Sequence, residues 1–381
     1  MTDSKPKVVV AMSGGVDSSV AACLLHEQGY EVMGLFMRIG VDAPESSGPT
    51  QADSTHRQGC CSASDAADAR FVAGKLGIPF FALNFKKDFD GLINYFSDEY
   101  ASARTPNPCV MCNHKLKFGR LTEYADAVGA RYIATGHYAR IDRTNGTLLL
   151  RCAVDSRKDQ SYVLFGVAPE LLDRVIFPIG HLTKTQVRDQ AARFGLPVCD
   201  KPDSVEICFV PDRDYARVVK ERRPDAFTEG DVVNQEGVIL GRHRGIGHFT
   251  VGQRRGLGIA TGVPIYVTSV DSNSNTVTVG SRDRLLKRGL IAEGVRMAAS
   301  GLGRSFRADA KIRYLHRAAP ATVHLWDRVP SLSSDRLESR SHTARVIFDD
   351  PQLAPAPGQA VVFYGNDLVL GGGWIARSFD V

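Results

Sequence analysis

The sequence predicts an α/β protein in which a doubly wound, parallel-sheet domain is followed by a small, mostly β central domain and a C-terminal β-barrel. Three observations carry this. Up to about residue 200, short apolar runs alternate with amphipathic stretches of helical period, the pattern of strands joined by crossover helices. The helical stretches stop at Gly29, Gly77 and Gly129, where a left-handed C-terminal cap favours glycine. After about Pro211 the texture changes to short alternating strands broken by Asp, Asn and Ser turns, as antiparallel β structure requires. At 381 residues the chain exceeds what one hydrophobic core usually serves, so domains are expected over residues 1–210, 211–287 and 288–381.

Taken in order, residues 7–12, 31–37, 79–84 and 131–135 read as strands, and 18–28, 64–76 and 115–128 as the helices between them. Residues 38–59, rich in Gly, Pro and Ser, read as a surface loop without regular structure. Residues 148–152 form a further strand carrying Cys152, and 205–210 a strand carrying Cys208. A helix over 212–221 links the first domain to the β region. There, 265–270 and 276–279 flank Asp271-Ser272-Asn273-Ser274-Asn275 as a hairpin, and the polar stretch 330–335 reads as a hairpin tip.

An apolar share of 43% fits a folded protein. No stretch approaches the roughly 20 apolar residues of a membrane span, and Met1-Thr2-Asp3-Ser4-Lys5 opens no apolar signal region, so a cytoplasmic protein with no membrane partner is expected. Eight cysteines in so long a chain do not make a disulfide scaffold; in a reducing compartment any disulfide would be catalytic. The net charge of +5 is modest but unevenly spread. Arg242, Arg244, Arg254 and Arg255 occupy residues 237–270 without one acid, and residues 282–317 hold ten Lys or Arg against Asp283, Glu293 and Asp309. Basic faces of this kind are the electrostatic footprint of a phosphate backbone.

Ser13-Gly14-Gly15-Val16-Asp17-Ser18-Ser19 stands between the first strand and the first helix. Two glycines bring backbone close to an anion, and the helix N-terminus offers amides to it, with Ser18 and Ser19 expected as caps. No Gly-Lys-Ser/Thr follows, which excludes an ordinary kinase or GTPase loop. In such sheets ligands bind beyond the carboxyl ends of the strands, where Gly136-His137 also falls, so the two segments should meet.

Cys109 and Cys112 follow two prolines and precede a helix, so Cys112 is expected near a helix N-terminus that favours its thiolate; Cys208 supplies a second thiol. The Cys-x-x-Cys spacing alone leaves a redox pair, zinc and a cluster open. The second Cys-x-x-Cys of a structural zinc site is missing, whereas Cys109, Cys112 and Cys208 suffice for an iron–sulfur cluster with one open iron site. Cys23, Cys152 and Cys199 read as structural, and Cys60-Cys61 carries no assigned role.

The loop resembles the PP-loop, Ser-Gly-Gly-x-Asp-Ser, of the ATP pyrophosphatases, which cleave ATP between the α and β phosphates and place AMP on a carbonyl oxygen. With Thr105-Pro106-Asn107-Pro108-Cys109-x-x-Cys112-Asn113, Thr135-Gly136-His137-Tyr138-Ala139-Arg140, Lys158-Asp159-Gln160-Ser161-Tyr162 and Glu206-Ile207-Cys208-Phe209 in order, the chain is similar nearly end to end to the tRNA-specific 2-thiouridylases. The resemblance implies a PP-loop ATPase domain, a central domain and a C-terminal β-barrel, and one reaction: the C2 oxygen of the wobble uridine of tRNA is exchanged for sulfur.

The same resemblance implies the roles. Ala11, Met12, Ser13, Gly14, Gly15, Val16, Asp17 and Ser18 wrap the ATP phosphates, Met37 and Gly136 line the adenine and ribose end, and Asp17 binds Mg²⁺ or takes a proton. Cys208 carries a persulfide received from a sulfur-donor protein. Cys112 attacks, leaving a Cys112–Cys208 disulfide that a cellular reductant reopens. Asn107, Pro108 and Cys109 lie beside the flipped base, and His137, Lys158, Asp159, Gln160, Arg313, Tyr314 and Gln359 touch tRNA. Some members carry Asp at the position of Cys109, which favours Cys112 as the nucleophile. An iron–sulfur variant of the enzyme, a PP-loop ligase or amidotransferase acting on a small carboxylate, and a nucleotide-sensing RNA-binding protein are the competing readings.

Overall fold

A computed structural model describes residues 5–39, 63–144, 147–202, 207–210, 212–259, 262–327 and 342–380. The expected loop over 38–59 from residue 40 onward, Cys60 and Cys61, Val205 and Glu206, and the expected hairpin tip at 330–335 lie outside the described residues. The chain divides into two compact units, one of residues 1–92, 111–161 and 167–214, the other of residues 93–110, 162–166 and 215–381.

The chain runs β1 (Lys7–Ala11), α1 (Val16–Glu27), β2 (Glu31–Arg38), α2 (Ala63–Leu76), β3 (Phe80–Asn84), α3 (Lys86–Ala101), α4 (Pro108–Met111), a π-helical segment (Cys112–Arg120), α5 (Leu121–Ala127), β4 (Tyr132–Thr135), β5 (Ala139–Thr144), β6 (Thr147–Cys152), α6 (Ser161–Leu164), β7 (Val175–Ile176) and α7 (Lys184–Arg193). In the first unit five parallel strands pair in the order β3-β2-β1-β4-β7. Val8, Val9 and Val10 are wholly buried because helices cover both faces, which is why β1 reads as an unbroken apolar run. Each such side chain contributes about 1.5–3 kcal/mol on burial. The chain steps from β1 outward to β3, then returns to the other side of β1 for β4. This reversal opens a crevice at the carboxyl ends of β1 and β4.

The expected helix ends are present in physical detail at Gly29. Its amide bonds to the His26 carbonyl at 3.0 Å and the Tyr30 amide to the Leu25 carbonyl at 3.1 Å, a closure that needs its φ of +85°. The helix expected over 115–128 differs. Pro108 starts the helical stretch because the Asn107 Oδ1 accepts the Val110 amide at 3.2 Å, and the first nine residues from Cys112 are π-helical before α5 begins. Cys112 therefore stands a full turn inside the helix, beyond the N-terminal amides, of which the Asn107 side chain takes the one of Val110. The strand expected at 205–210 is also corrected: Ile207 to Val210 form a turn, closed by the Val210 amide on the Ile207 carbonyl at 2.8 Å.

The second unit adds α8 (Tyr215–Arg222), three residues later than the expected helix start, then β8 (Gly230–Val233), β9 (Ile239–His243), β10 (Tyr266–Asp271) and β11 (Thr276–Gly280). The sheet order is β10-β11-β8-β9, with the expected hairpin as its β10–β11 pair around buried Val267, Val277 and Val279. Six further strands, β12 (Leu286–Met297), β13 (Ser305–Lys311), β14 (Ala319–Asp327), β15 (His342–Leu353), β16 (Ala360–Gly365) and β17 (Leu368–Phe379), pair in the order β12-β15-β14-β13-β16-β17, and β12 pairs back onto β17. The sheet is a closed barrel. Ala292, Ala310, Ala321 and Ala344 alternate inside it with Phe348 and Phe363, since a narrow barrel takes large side chains only opposite small ones.

Candidate functional site

A cradle of backbone forms where β1 turns into α1. Gly14 adopts φ +75°, and a Cβ built on it would lie 2.2 Å from the Asp65 carbonyl oxygen, so glycine is required twice over. Gly15 is the N-cap, and no side chain caps the helix, which leaves the first-turn amides for an anion. Ser18 and Ser19 are not the caps the sequence suggests. They lie in the first turn and donate back to the Gly15 carbonyl at 3.3 and 2.9 Å, while the Ser18 Oγ accepts the Ser13 amide at 3.1 Å. That closes the loop on itself. Gly136, just beyond β4, presses on the same turn: a Cβ there would lie 2.6 Å from the Ser18 nitrogen. The two segments meet as expected. Ala11 and Met12 lead into the loop, Val16 is buried, and Met37 stands half-buried near the end of β2, beside β1.

Asp17 does not face this cradle alone. Lys184, the first residue of α7, donates to its two carboxylate oxygens at 2.8 and 2.9 Å, and the Tyr138 hydroxyl donates to Oδ1 at 2.7 Å. α7 begins with a capping box, in which Thr183 and Gln186 satisfy each other's amides. The Lys184 amide donates to the Asp155 Oδ2 at 3.0 Å, and this bond holds the Asp155 carboxyl below its usual pKa. Tyr138 is fixed in turn by Gln160, whose Oε1 accepts the Tyr138 amide at 2.9 Å. Asp159 accepts the Ala153 amide, the Ser161 amide and the Ser161 hydroxyl, so this carboxylate shapes the turn that presents half-buried Lys158.

On the other side of the loop, Lys201 donates to the Gly14 carbonyl at 3.0 Å and to Asp65 and Asp68, both at 2.7 Å. Burial works against its charge, yet the two carboxylates hold its pKa above the usual lysine value. Lys184 and Lys201 are the residues that sequence reasoning misses. Lone lysines 167 and 187 positions from their partners carry no local signal.

Cys112 and Cys208 belong to the same unit and are both half-exposed; the Phe89 ring meets Phe209 edge-on, with centroids 5.7 Å apart, beside Cys208. The π-helical segment that opens with Cys112 carries Lys117, whose Nζ lies 3.4 Å from the His137 Nε2. An ammonium only donates, so Nε2 accepts and Nδ1 carries the proton toward the Thr135 hydroxyl at 2.7 Å. Burial, and then the charge of Lys117, push the His137 pKa well below the usual imidazole range. His137 is thus a neutral, buried support for Lys117, packed between Phe118 and Phe177.

In the second unit Asn107 and Pro108 are buried and Cys109 is exposed. The Gln359 amide donates to the Thr105 and Pro106 carbonyls at 3.3 and 2.9 Å, and thereby fixes the approach to Asn107. Arg313 is half-buried and donates to the Leu353 carbonyl at 3.0 Å; Tyr314 is exposed beside Leu315, with the Lys311 Nζ 5.8 Å from its ring centroid. A cation over an exposed ring next to an exposed apolar side chain suits a nucleobase. Arg242, Arg244, Arg254 and Arg255 are all exposed. Among the described residues no three His, Cys, Asp or Glu side chains gather as a metal-ligand set, and no helix is long and apolar enough to cross a membrane.

Three family profiles match the chain: a tRNA methyl transferase HUP domain over residues 6–212, a tRNA methyl transferase PRC-barrel domain over 216–281 and an aminomethyltransferase β-barrel domain over 287–375. The tRNA-specific 2-thiouridylase MnmA of Rhodopirellula baltica is 44% identical over 403 residues, covering 98% of this chain and 97% of that one. The proteins of the same name from Acetivibrio thermocellus and Heliobacterium modesticaldum are each 46% identical, over 98% and 99% of this chain and 99% and 94% of their own. With a PP-loop cradle at the head of a parallel sheet and a closed barrel at its C-terminal end, this chain belongs to the tRNA-specific 2-thiouridylase family.

Proposed function

We propose that the protein thiolates C2 of the wobble uridine of tRNA at the expense of ATP, with a catalytic domain over residues 1–210, a central domain over 211–287 and a tRNA-binding barrel over 288–381. The carrying observation is the uncapped, glycine-cornered start of α1, with Asp17 in its first turn and Lys184 of α7 paired to it, in a chain of this family. The cradle fits a phosphate chain. ATP bound there supplies an adenylyl group, and Mg²⁺ neutralises the phosphates. Oxide is a poor leaving group at C2 and AMP a good one. The uridine O2 attacks the α-phosphorus and pyrophosphate leaves with the electron pair, while the α1 amides stabilise its growing charge.

Cys208, loaded as a persulfide by a donor protein, then adds its outer sulfur to C2 and AMP departs. Cys112 attacks the inner sulfur, the S–S bond breaks toward the uridine, and a Cys112–Cys208 disulfide remains for a two-electron reductant. Asn107, Pro108 and Cys109 sit beside the extruded base, and Lys158, Arg313 and Tyr314 hold the RNA. His137, Asp159, Gln160 and Gln359 act through the groups they position. The protein works in the cytoplasm, where tRNA and the donor are found.

The test is incubation of the protein with ATP, Mg²⁺, a persulfide or sulfide source and unmodified tRNA, followed by digestion and mass spectrometry. Thiolated wobble uridine together with AMP and pyrophosphate is the expected result. Pyrophosphate without sulfur in the RNA would turn the reading toward an adenylating ligase.

A further inference from the structure

The Lys184–Asp17 pair is built at a solvation cost that an ordinary surface ion pair does not carry. The Lys184 side chain is 12% exposed, its Nζ lies 5.8 Å from the Tyr138 ring centroid, and it approaches both Asp17 oxygens. The Tyr138 hydroxyl also donates to Oδ1, so the carboxylate is held by a neutral donor as well as by the lysine. What the lysine adds beyond its two hydrogen bonds, and the hydroxyl cannot, is charge. A carboxylate in the first turn of α1 sits where the amides would receive a phosphate chain, and like charge there repels the nucleotide unless it is cancelled.

The placement of Lys184 is over-determined. The Thr183–Gln186 capping box fixes it as the first residue of α7, and its amide is anchored on Asp155. Tyr138 is held by Gln160 and reaches Asp17. Three segments far apart in sequence thus aim one ammonium at the turn that opens the cradle. A cation held this way needs no reorganisation as charge develops on a leaving group.

We propose that Lys184 is a phosphate-binding residue of the adenylation step, shared between Asp17 and the β-phosphate of ATP. The inference rests on the adenylation reading above. As the uridine O2 forms its bond to the α-phosphorus, the bond from that phosphorus to the bridging oxygen breaks. The electron pair stays on the pyrophosphate, and Lys184 neutralises it. Asp17 keeps the lysine in place when the cradle is empty of phosphate and yields part of it when phosphate binds.

Calorimetric titration of the full chain with ATP, inorganic pyrophosphate and AMP separates this from a purely structural pair. Lys184→Met should weaken ATP and pyrophosphate by about tenfold or more, the scale of one charge-assisted hydrogen bond, and leave AMP within about twofold. Lys184→Arg should recover part of the loss. The double variant Asp17→Asn/Lys184→Met removes both charges together. If Lys184 served only to cancel Asp17, the double variant would regain wild-type affinity for pyrophosphate, and the proposal would be overturned. An equal loss for AMP would overturn it too, since that reports a distorted fold. Wild-type protein that binds ATP but makes no 2-thiouridine would remove the thiolation reading and leave this inference standing.

Discussion

Gly14→Ala tests whether the cradle is closed by a backbone contact rather than by glycine flexibility alone. At φ +75° an alanine costs about 1–2 kcal/mol. Its methyl group would also lie 2.2 Å from the Asp65 oxygen and 2.7 Å from the Asp65 carbonyl carbon and Cα. These are backbone atoms near the start of α2, so the helix must retreat, at about 1–3 kcal/mol for an overpacked contact. Retreat draws Asp65 and Asp68 away from Lys201, which also holds the Gly14 carbonyl, and a weakened, partly buried charged hydrogen bond adds about 1–3 kcal/mol. The sum is about 3–8 kcal/mol. Gly29→Ala is the control in the same unit: φ is +85°, but no atom lies within 4 Å of the new methyl, so only the conformational cost of about 1–2 kcal/mol remains. Denaturant titration of both variants beside the wild type, with ATP affinity measured on each, reads the difference. Equal destabilisation by the two alanines would refute the close approach of Gly14 to α2.

Cys112→Ser should abolish sulfur transfer to RNA while tRNA binding and pyrophosphate release persist; wild-type thiolation by this variant would exclude Cys112 as the nucleophile. The affinity for tRNA should fall steeply with salt, with a log–log slope of about −3 to −4 if the four exposed arginines Arg242, Arg244, Arg254 and Arg255 each neutralise one phosphate. Arg254→Gln should lower that slope by about one, and a flat salt response would remove this face from the RNA contact. Burial, foremost among the causes, holds His137, His243 and His316 below the usual imidazole pKa of 6.5. As pH falls below about 6.5 the unfolded chain therefore takes up protons that the folded one refuses, and stability declines by up to about 1.4 kcal/mol per pH unit for each such group. His137→Gln should remove one proton from that slope between pH 6.5 and 5, as measured by denaturant titration across the range.

The parallel sheet was legible because strands buried on both faces have to be apolar throughout, as Val8-Val9-Val10 are, and because Gly29, Gly77 and Gly129 end their helices in left-handed turns. The cradle was legible for the same local reason: a glycine pair between strand and helix has few other uses. What stayed hidden is what sequence distance hides. Lys184 stands in Leu182-Thr183-Lys184-Thr185, which reads as the solvated start of a helix, and nothing near it names Asp17 as its partner. The π-helical segment at Cys112 was hidden because nine residues are too few to separate a period of 3.6 from a wider one. The apolar neighbours Ile207, Phe209 and Val210 give Cys208 the look of a strand residue, but two of these, Phe209 and Val210, are buried from a turn.

The distribution of charge around the loop explains why those distant lysines are needed. Gly14 to Ser18 carries one carboxylate of its own, and Asp65 and Asp68 bring two more against the outer side of the loop. Left uncompensated, three negative charges would oppose the phosphate chain that the α1 amides attract. Lys184 cancels Asp17 from the crevice side, and Lys201 bridges Asp65 and Asp68 while gripping the Gly14 carbonyl. Each lysine thus does two things at once. It fixes loop geometry through hydrogen bonds, and together the two lysines cut the charge of this group from −3 to −1, so that far less repulsion opposes the α1 amides. A lysine-to-methionine change at either site removes both effects, whereas replacing the carboxylate partner removes only the first. For that reason Asp17→Asn and Lys184→Met are not equivalent lesions, and the affinity for pyrophosphate should fall much further in the second.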